Sequence, residues 1–231
     1  MGKVGSTALE KVLSQASSNV HTLYDNHPCP YNHRICFLGM KRWLKEKLTF
    51  LIKHVLFLLR KEVKIVTLYR DPVERNISMF MQDYIFWHSL AFKNQKINGK
   101  MENVELPKKI FFEQFDHKYC FDWFDKELKK LTKINVYDYG DEIKRNGYKV
   151  IQNGKYKVLV INYKALNQSI SEEDVIKFFG VKMVLPKVNS ASDKWYSDIY
   201  LKFKNDWKEE VCDFYNREFS NTDYYKLVSD E

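Results

Sequence analysis

Residues 63–69, VKIVTLY, make an apolar run of strand length that stops at Arg70, and Asp71-Pro72-Val73-Glu74 follow at once. Those four carry the marks of a helix start. Asp accepts from unpaired helical N–H groups, Pro stands where a missing N–H costs nothing, and Glu sits three residues past the cap. A strand that is apolar along nearly its whole length is covered on both faces, as parallel strands are. Strand and helix together read as part of a parallel α/β sheet. The helix is expected to continue to about residue 93.

The rest of the chain fits that class. A helix is expected from about residue 7 to 17, a strand at 19–24, and a helical stretch from about 37 to 61. Residues 94–107 read as a polar loop and 121–132, FDWFDKELKKLT, as a helix. YKVIQNGKYKVLVINY at 148–163 reads as two strands about an Asn153-Gly154 turn. SEEDVIKFFG at 171–180 reads as a capped helix stopped by Gly180, and about 195–219 as one long aromatic-rich helix packed in the core. No repeat or linker divides the chain, so residues 1–231 are expected to be a single domain.

Composition narrows the partners. The formal charge is +8, from 38 basic and 30 acidic residues. Such an excess suits anionic ligands, and a solvated lysine-rich surface is the plain alternative. Nothing but net charge suggests nucleic acid, so no nucleic-acid partner is expected. The four cysteines, Cys29, Cys36, Cys120 and Cys212, are widely spread, which suits a reducing, cytoplasmic setting better than a disulfide scaffold. No secretory leader is visible. LTFLIKHVLFLL at 48–59 is too short, and with Lys53 and His54 too charged, to span a bilayer. It reads as an amphipathic helix suited to a buried face or to peripheral membrane contact.

The first residues, MGKVGST, place a glycine-rich turn in front of the first expected helix. Backbone amides of Lys3, Val4, Gly5, Ser6 and Thr7 would meet an anion at the positive end of that helix, and Lys3 would add a full charge. The spacing is not that of a Walker A motif, because here Lys precedes the second glycine. At the end of the 63–69 strand, Arg70 would face the crevice where ligands of such sheets bind. Ser78 shares a helix face with Asp71 and Glu74 and could join Arg70 in a fork for a phosphate. The alternative is an Arg70 that pairs structurally with Asp71 or Glu74. His27, Cys29, His33 and Cys36 could be read as a zinc cluster, but one short loop would have to supply every ligand, so no metal is expected.

GKVGST and LYRDPVERNISMF together resemble two motifs of the sulfotransferases that use 3′-phosphoadenosine 5′-phosphosulfate (PAPS). The first is similar to their loop for the 5′-phosphosulfate. The second is similar to their 3′-phosphate motif, with Arg70 and Ser78 at the family's separation. The likeness is strongest to the carbohydrate-directed branch. ASDKWYSDIY at 191–200 also resembles the signature of a bacterial capsular polysaccharide synthesis group, with Asp193 where that group has Asn. FDWFDKEL and INVYDYG resemble the same group's middle region.

The resemblance implies a P-loop-like three-layer α/β fold with a central parallel β-sheet flanked by helices. The strand that should lead into the anion turn is expected to be missing or truncated, since Met1 nearly abuts the turn. It implies metal-free transfer of a sulfuryl group from PAPS, as donor co-substrate, to a hydroxyl of a carbohydrate or polysaccharide acceptor. Lys3 would stabilise the leaving phosphate, Gly5, Ser6 and Thr7 would cradle the 5′ group, and Arg70 and Ser78 would select the 3′-phosphate. NVHTL at 19–23 resembles the branch's base region, which makes His21 the candidate base, with His27 and Asp25 as substitutes. Lys194 could reach the nucleotide from a closing loop. A catalytically silent relative that binds a nucleotide or an anionic glycan is the other reading.

Overall fold

The computed structural model describes residues 48, 52, 55, 59–82, 84, 105–182, 200, 201 and 205–229. Its centre is a three-stranded sheet in the order β1-β3-β2, where β1 is Val63–Tyr69, β2 Tyr148–Asn153 and β3 Tyr156–Asn162. β1 pairs parallel with β3, Val63 opposite Tyr156 and Tyr69 opposite Asn162. β2 pairs antiparallel with β3, Tyr148 opposite Ile161.

The expectation of a parallel sheet is therefore corrected: among the described residues the sheet is mixed. The physical reason is the Asn153-Gly154 turn that the sequence displays. Two strands joined by so short a loop can only run antiparallel, since a parallel pair needs a long crossover. Gly154 holds φ 55° there, a conformation that glycine adopts without steric cost. The Asn153 amide ties the turn to the Thr132 carbonyl at 3.0 Å.

β3 is the central strand, and its run Val158-Leu159-Val160-Ile161 is fully buried. Alternate residues face opposite layers. Val158 and Val160, with Tyr69 and Ile151, pack on helices α1 (Pro72–Gln82), α2 (Glu105–Gln114), α3 (Tyr119–Trp123), α7 (Lys208–Phe219) and α8 (Asp223–Val228). Leu159 and Ile161, with Leu68, pack on α5 (Leu166–Ser169) and α6 (Glu173–Phe179). Helices thus cover both faces of the sheet. α4 (Gly140–Asn146) leads into β2 through Gly147, which sits at φ 75° and ends the helix with its N–H on the Ile143 carbonyl.

Four local expectations shift. The helix expected at 121–132 starts at Tyr119 and widens into a π-helical stretch, Phe124–Lys129, before a last α turn, Lys130–Thr132. α2 begins at Glu105, inside the expected loop, with Pro107 in its first turn where proline does no harm. α6 stops at Gly180 as read, at φ 80°, but its N-cap is Glu172, with no side-chain cap. The long C-terminal helix is broken at Trp207, whose backbone leaves the helical region at φ −118°, ψ 6°. There the indole turns into the core, and Asn205-Asp206 just before it are residues that compete with helical hydrogen bonding. The expected elements at 7–17 and 19–24, and the place of a preceding strand, lie outside the described residues.

Candidate functional site

β1 and β3 end side by side, so Arg70 and Tyr163 emerge together at the carboxyl edge of the parallel pair. Asp71 caps α1 as its sequence position predicts: its Oδ1 accepts from the Glu74 N–H at 2.8 Å. Glu74 Oε2 accepts from Arg70 Nε (3.2 Å) and Nη2 (2.9 Å), and the Arg70 guanidinium lies 5.0 Å over the Tyr163 ring. Ser78, half-buried, stands one turn beyond Glu74 on α1. The result is a cation at the positive end of an eleven-residue helix, backed by an aromatic ring and bridged to the Glu74 carboxylate.

The backbone of Arg70 is fixed from the far end of the chain. Tyr224 Oη, on α8, accepts from the Arg70 N–H at 3.3 Å and donates to the Arg70 carbonyl at 2.8 Å. Burial holds the Tyr224 phenol well above its ordinary range, so it stays neutral and can do both at once. The sequence carried no signal for this contact, which joins residues 154 positions apart.

Behind the edge, the opposite face of α1 enters a buried polar network. Arg75 Nη1 donates to Asn76 Oδ1 at 2.6 Å. Asn76 Nδ2 donates to the His117 carbonyl (3.2 Å) and to Tyr215 Oη (2.6 Å). His117 Nε2 meets the Phe111 carbonyl and Nδ1 meets Tyr215 Oη, both at 2.8 Å. A carbonyl can only accept, so Nε2 carries the proton and Nδ1 accepts from Tyr215. Burial pushes His117 down to about 4, against smaller opposing pulls from the Phe111 carbonyl and Asp116. Arg75 is 1% exposed and stacks 5.1 Å over Tyr119, yet its Nε and Nη2 have no hydrogen-bond partner. Cys120, buried beside them, is pushed up to about 12, chiefly by burial, which leaves it no nucleophile at neutral pH.

Of the candidate site residues, Arg70 lies at the carboxyl end of β1 and Ser78, half-buried, lies on α1. Lys3, Val4, Gly5, Ser6, Thr7, His21, Asp25, His27 and Lys194 lie outside the described residues, as do Cys29, His33 and Cys36. Among the described residues, no group of His, Cys, Asp or Glu side chains could hold a metal ion, and no helix is long and apolar enough to cross a membrane. Tyr163 and Tyr224 join the site without having been singled out in the sequence, while Glu74 is the structural partner for Arg70 that the sequence offered as the alternative. Tyr163 could have been found by reading the strand pairing, because it follows the strand that runs beside β1. No family model, curated protein or solved structure matches this chain.

Proposed function

We propose that the carboxyl edge of β1 and β3 receives the 3′-phosphate of PAPS, and that the protein transfers the sulfuryl group to a carbohydrate hydroxyl in surface polysaccharide synthesis. The observation that carries this reading is the strand–Arg70–capped helix unit, with Ser78 on the helix face that Glu74 shares and Tyr163 under the guanidinium. The Arg70–Glu74 pair does not stand in the way. The pair is part-buried, with Arg70 16% and Glu74 32% exposed, and a dianionic phosphate offers the guanidinium a charge-assisted contact of about 1.5–3 kcal/mol with more charge than one carboxylate carries. A dianionic phosphate can therefore take the guanidinium from Glu74.

In the proposed reaction the acceptor oxygen attacks sulfur in line, the S–O bond to the 5′-phosphate breaks, and adenosine 3′,5′-bisphosphate leaves. The acceptor proton passes to a base, for which His21 is the candidate. Lys3 would stabilise the charge on the departing phosphate oxygen.

The Arg70–Glu74 pair favours one second reading, a silent relative in which Arg70 is structural. Calorimetry separates the two. The enzyme reading expects adenosine 3′,5′-bisphosphate to bind at least about tenfold tighter than 5′-AMP, with Arg70→Ala erasing most of the difference. Equal affinities would overturn the donor assignment.

A further inference from the structure

We infer that the stripe of Leu48, Ile52, Val55 and Leu59, ahead of β1, is a docking surface for an anionic membrane. Leu48, Ile52, Val55 and Leu59 are helical and spaced four, three and four residues apart, so they fall on one narrow stripe. All four face solvent, at 56%, 51%, 46% and 75% exposure. A soluble domain seldom leaves large side chains in register along a helix without a use for them. The segment between them is itself apolar, with Phe50, Leu51, Leu56, Phe57 and Leu58 in the sequence. Something other than water covers this stripe in the working protein.

Charge decides what. Between positions 41 and 61 the sequence has seven basic residues, Lys41, Arg42, Lys45, Lys47, Lys53, Arg60 and Lys61, against the single acid Glu46. That stretch of sequence thus carries a net +6 of the chain's +8. Arg60 and Lys61, which follow Leu59 directly, are exposed. An apolar stripe within so cationic a stretch of chain, with Arg60 and Lys61 exposed at its end, matches the boundary between acyl chains and anionic headgroups, where the stripe enters hydrocarbon and the cations stay at the phosphates. A second copy of the chain fits less well. Four side chains fall short of the roughly 800 Å² per partner of a standard stable interface, and the crowded cations would repel across a two-fold axis. The apolar run at 48–59 is shorter than the roughly 20 residues a bilayer-crossing helix needs, which makes a surface-lying segment the fit. This inference does not depend on the proposed sulfuryl transfer. It would place the protein where lipid-linked or membrane-extruded glycans are at hand.

The test is flotation of the full chain with vesicles of phosphatidylcholine alone and of phosphatidylcholine with 30% phosphatidylglycerol. Binding to the anionic vesicles is expected to be at least about tenfold tighter and to weaken as salt rises from 50 to 500 mM. Ile52→Asp with Val55→Asp should reduce it at least about tenfold while the thermal unfolding midpoint holds, because both side chains already face water. Arg60→Glu with Lys61→Glu should reduce anionic binding without touching the stripe. No binding to either vesicle, or equal binding to both, overturns the inference. So does a concentration-dependent dimer in light scattering that Ile52→Asp abolishes, since the stripe would then be a seam between copies.

Discussion

Acidification should destabilise this protein through one residue, His117. Its ring is boxed by Phe111, Phe115, Phe214 and Tyr215, with centroids 4.7 to 5.5 Å away. Both ring nitrogens are committed, Nε2 as donor to the Phe111 carbonyl and Nδ1 as acceptor from Tyr215. A second proton must go on Nδ1, where it would meet a hydroxyl that already accepts from Asn76. Tyr215 would then have to give up its role as donor to the ring. Desolvation and this conflict act in the same direction, and the folded-state pKa is about 4, against about 6.5 in the unfolded chain.

The sign follows from proton counting. Above pH 6.5 neither state binds the extra proton. Between about 6.5 and 4 the unfolded chain holds it and the folded chain does not, so stability falls as the pH falls, by up to about 1.4 kcal/mol per pH unit. The loss reaches about 2 kcal/mol at pH 5 and levels off near 3 kcal/mol below pH 4. For a chain of this size, 2 kcal/mol corresponds to roughly 4–8 °C in melting temperature. Urea unfolding from pH 7.5 to 4.5 would measure it, with His117→Gln as the control. Gln can donate and accept at the same two places but does not titrate, so subtracting its curve removes the carboxylates and the other histidines. The two curves should part below pH 6.5 and differ in slope through pH 5. Curves that stay parallel to within about 0.5 kcal/mol would refute the reasoning.

The remaining expectations concern the edge and its supports. Glu74→Gln should tighten adenosine 3′,5′-bisphosphate several-fold by removing the competing carboxylate; an unchanged affinity in calorimetry would point to a structural Arg70. Tyr224→Phe leaves the Arg70 N–H and carbonyl without the hydroxyl they share and should cost about 1–3 kcal/mol in urea unfolding, with weakened bisphosphate binding. Gly147→Ala combines φ 75° with a Cβ that would lie 2.4 Å from Ala165 Cβ, and should cost about 2–4 kcal/mol; a loss under 1 kcal/mol would mean the α4–β2 junction yields freely. Arg75→Met removes a buried charge whose Nε and Nη2 lack partners, so the expected loss is at most about 1 kcal/mol. A loss above about 3 kcal/mol would mean that the guanidinium is paired with an anion when the protein is at work.

Local signals carried the reading where one residue decides the geometry. Asp71 caps α1, Gly154 turns the hairpin and Gly180 ends α6, because a side-chain acceptor or a left-handed backbone acts within a few residues. β3 was legible as a buried strand because Val158 through Ile161 leave no polar face. The sheet's mixed sense was also within reach, since the hairpin turn forces it. What could not be read was set by distance along the chain. The break at Trp207 depends on the indole finding a place in the core. Arg75 is interred with Asn76 because α7 and α3 close over that face, which no local signal shows. That Glu74 pairs with Arg70 is decided by where β1 delivers the guanidinium.

α1 joins these two halves. Its first turn brings Glu74 to Arg70 at the edge, and its buried face, through Asn76, is bonded to Tyr215 of α7 and to the His117 carbonyl. α8 follows α7 directly and sends Tyr224 back to the Arg70 backbone. The C-terminal helices therefore hold the edge at two points, one at the mouth and one behind it. A ligand that pulls Arg70 away from Glu74 works against a fixed backbone, so its contact energy is not spent on ordering the loop. The same arrangement ties the edge to His117: if that ring is protonated, Tyr215 loses its acceptor, and the strain falls on Asn76, one turn beyond Pro72. Bisphosphate affinity should then fall together with stability below pH 5. In His117→Gln it should hold to lower pH, and an identical fall in both proteins would show that the edge does not sense the network behind it.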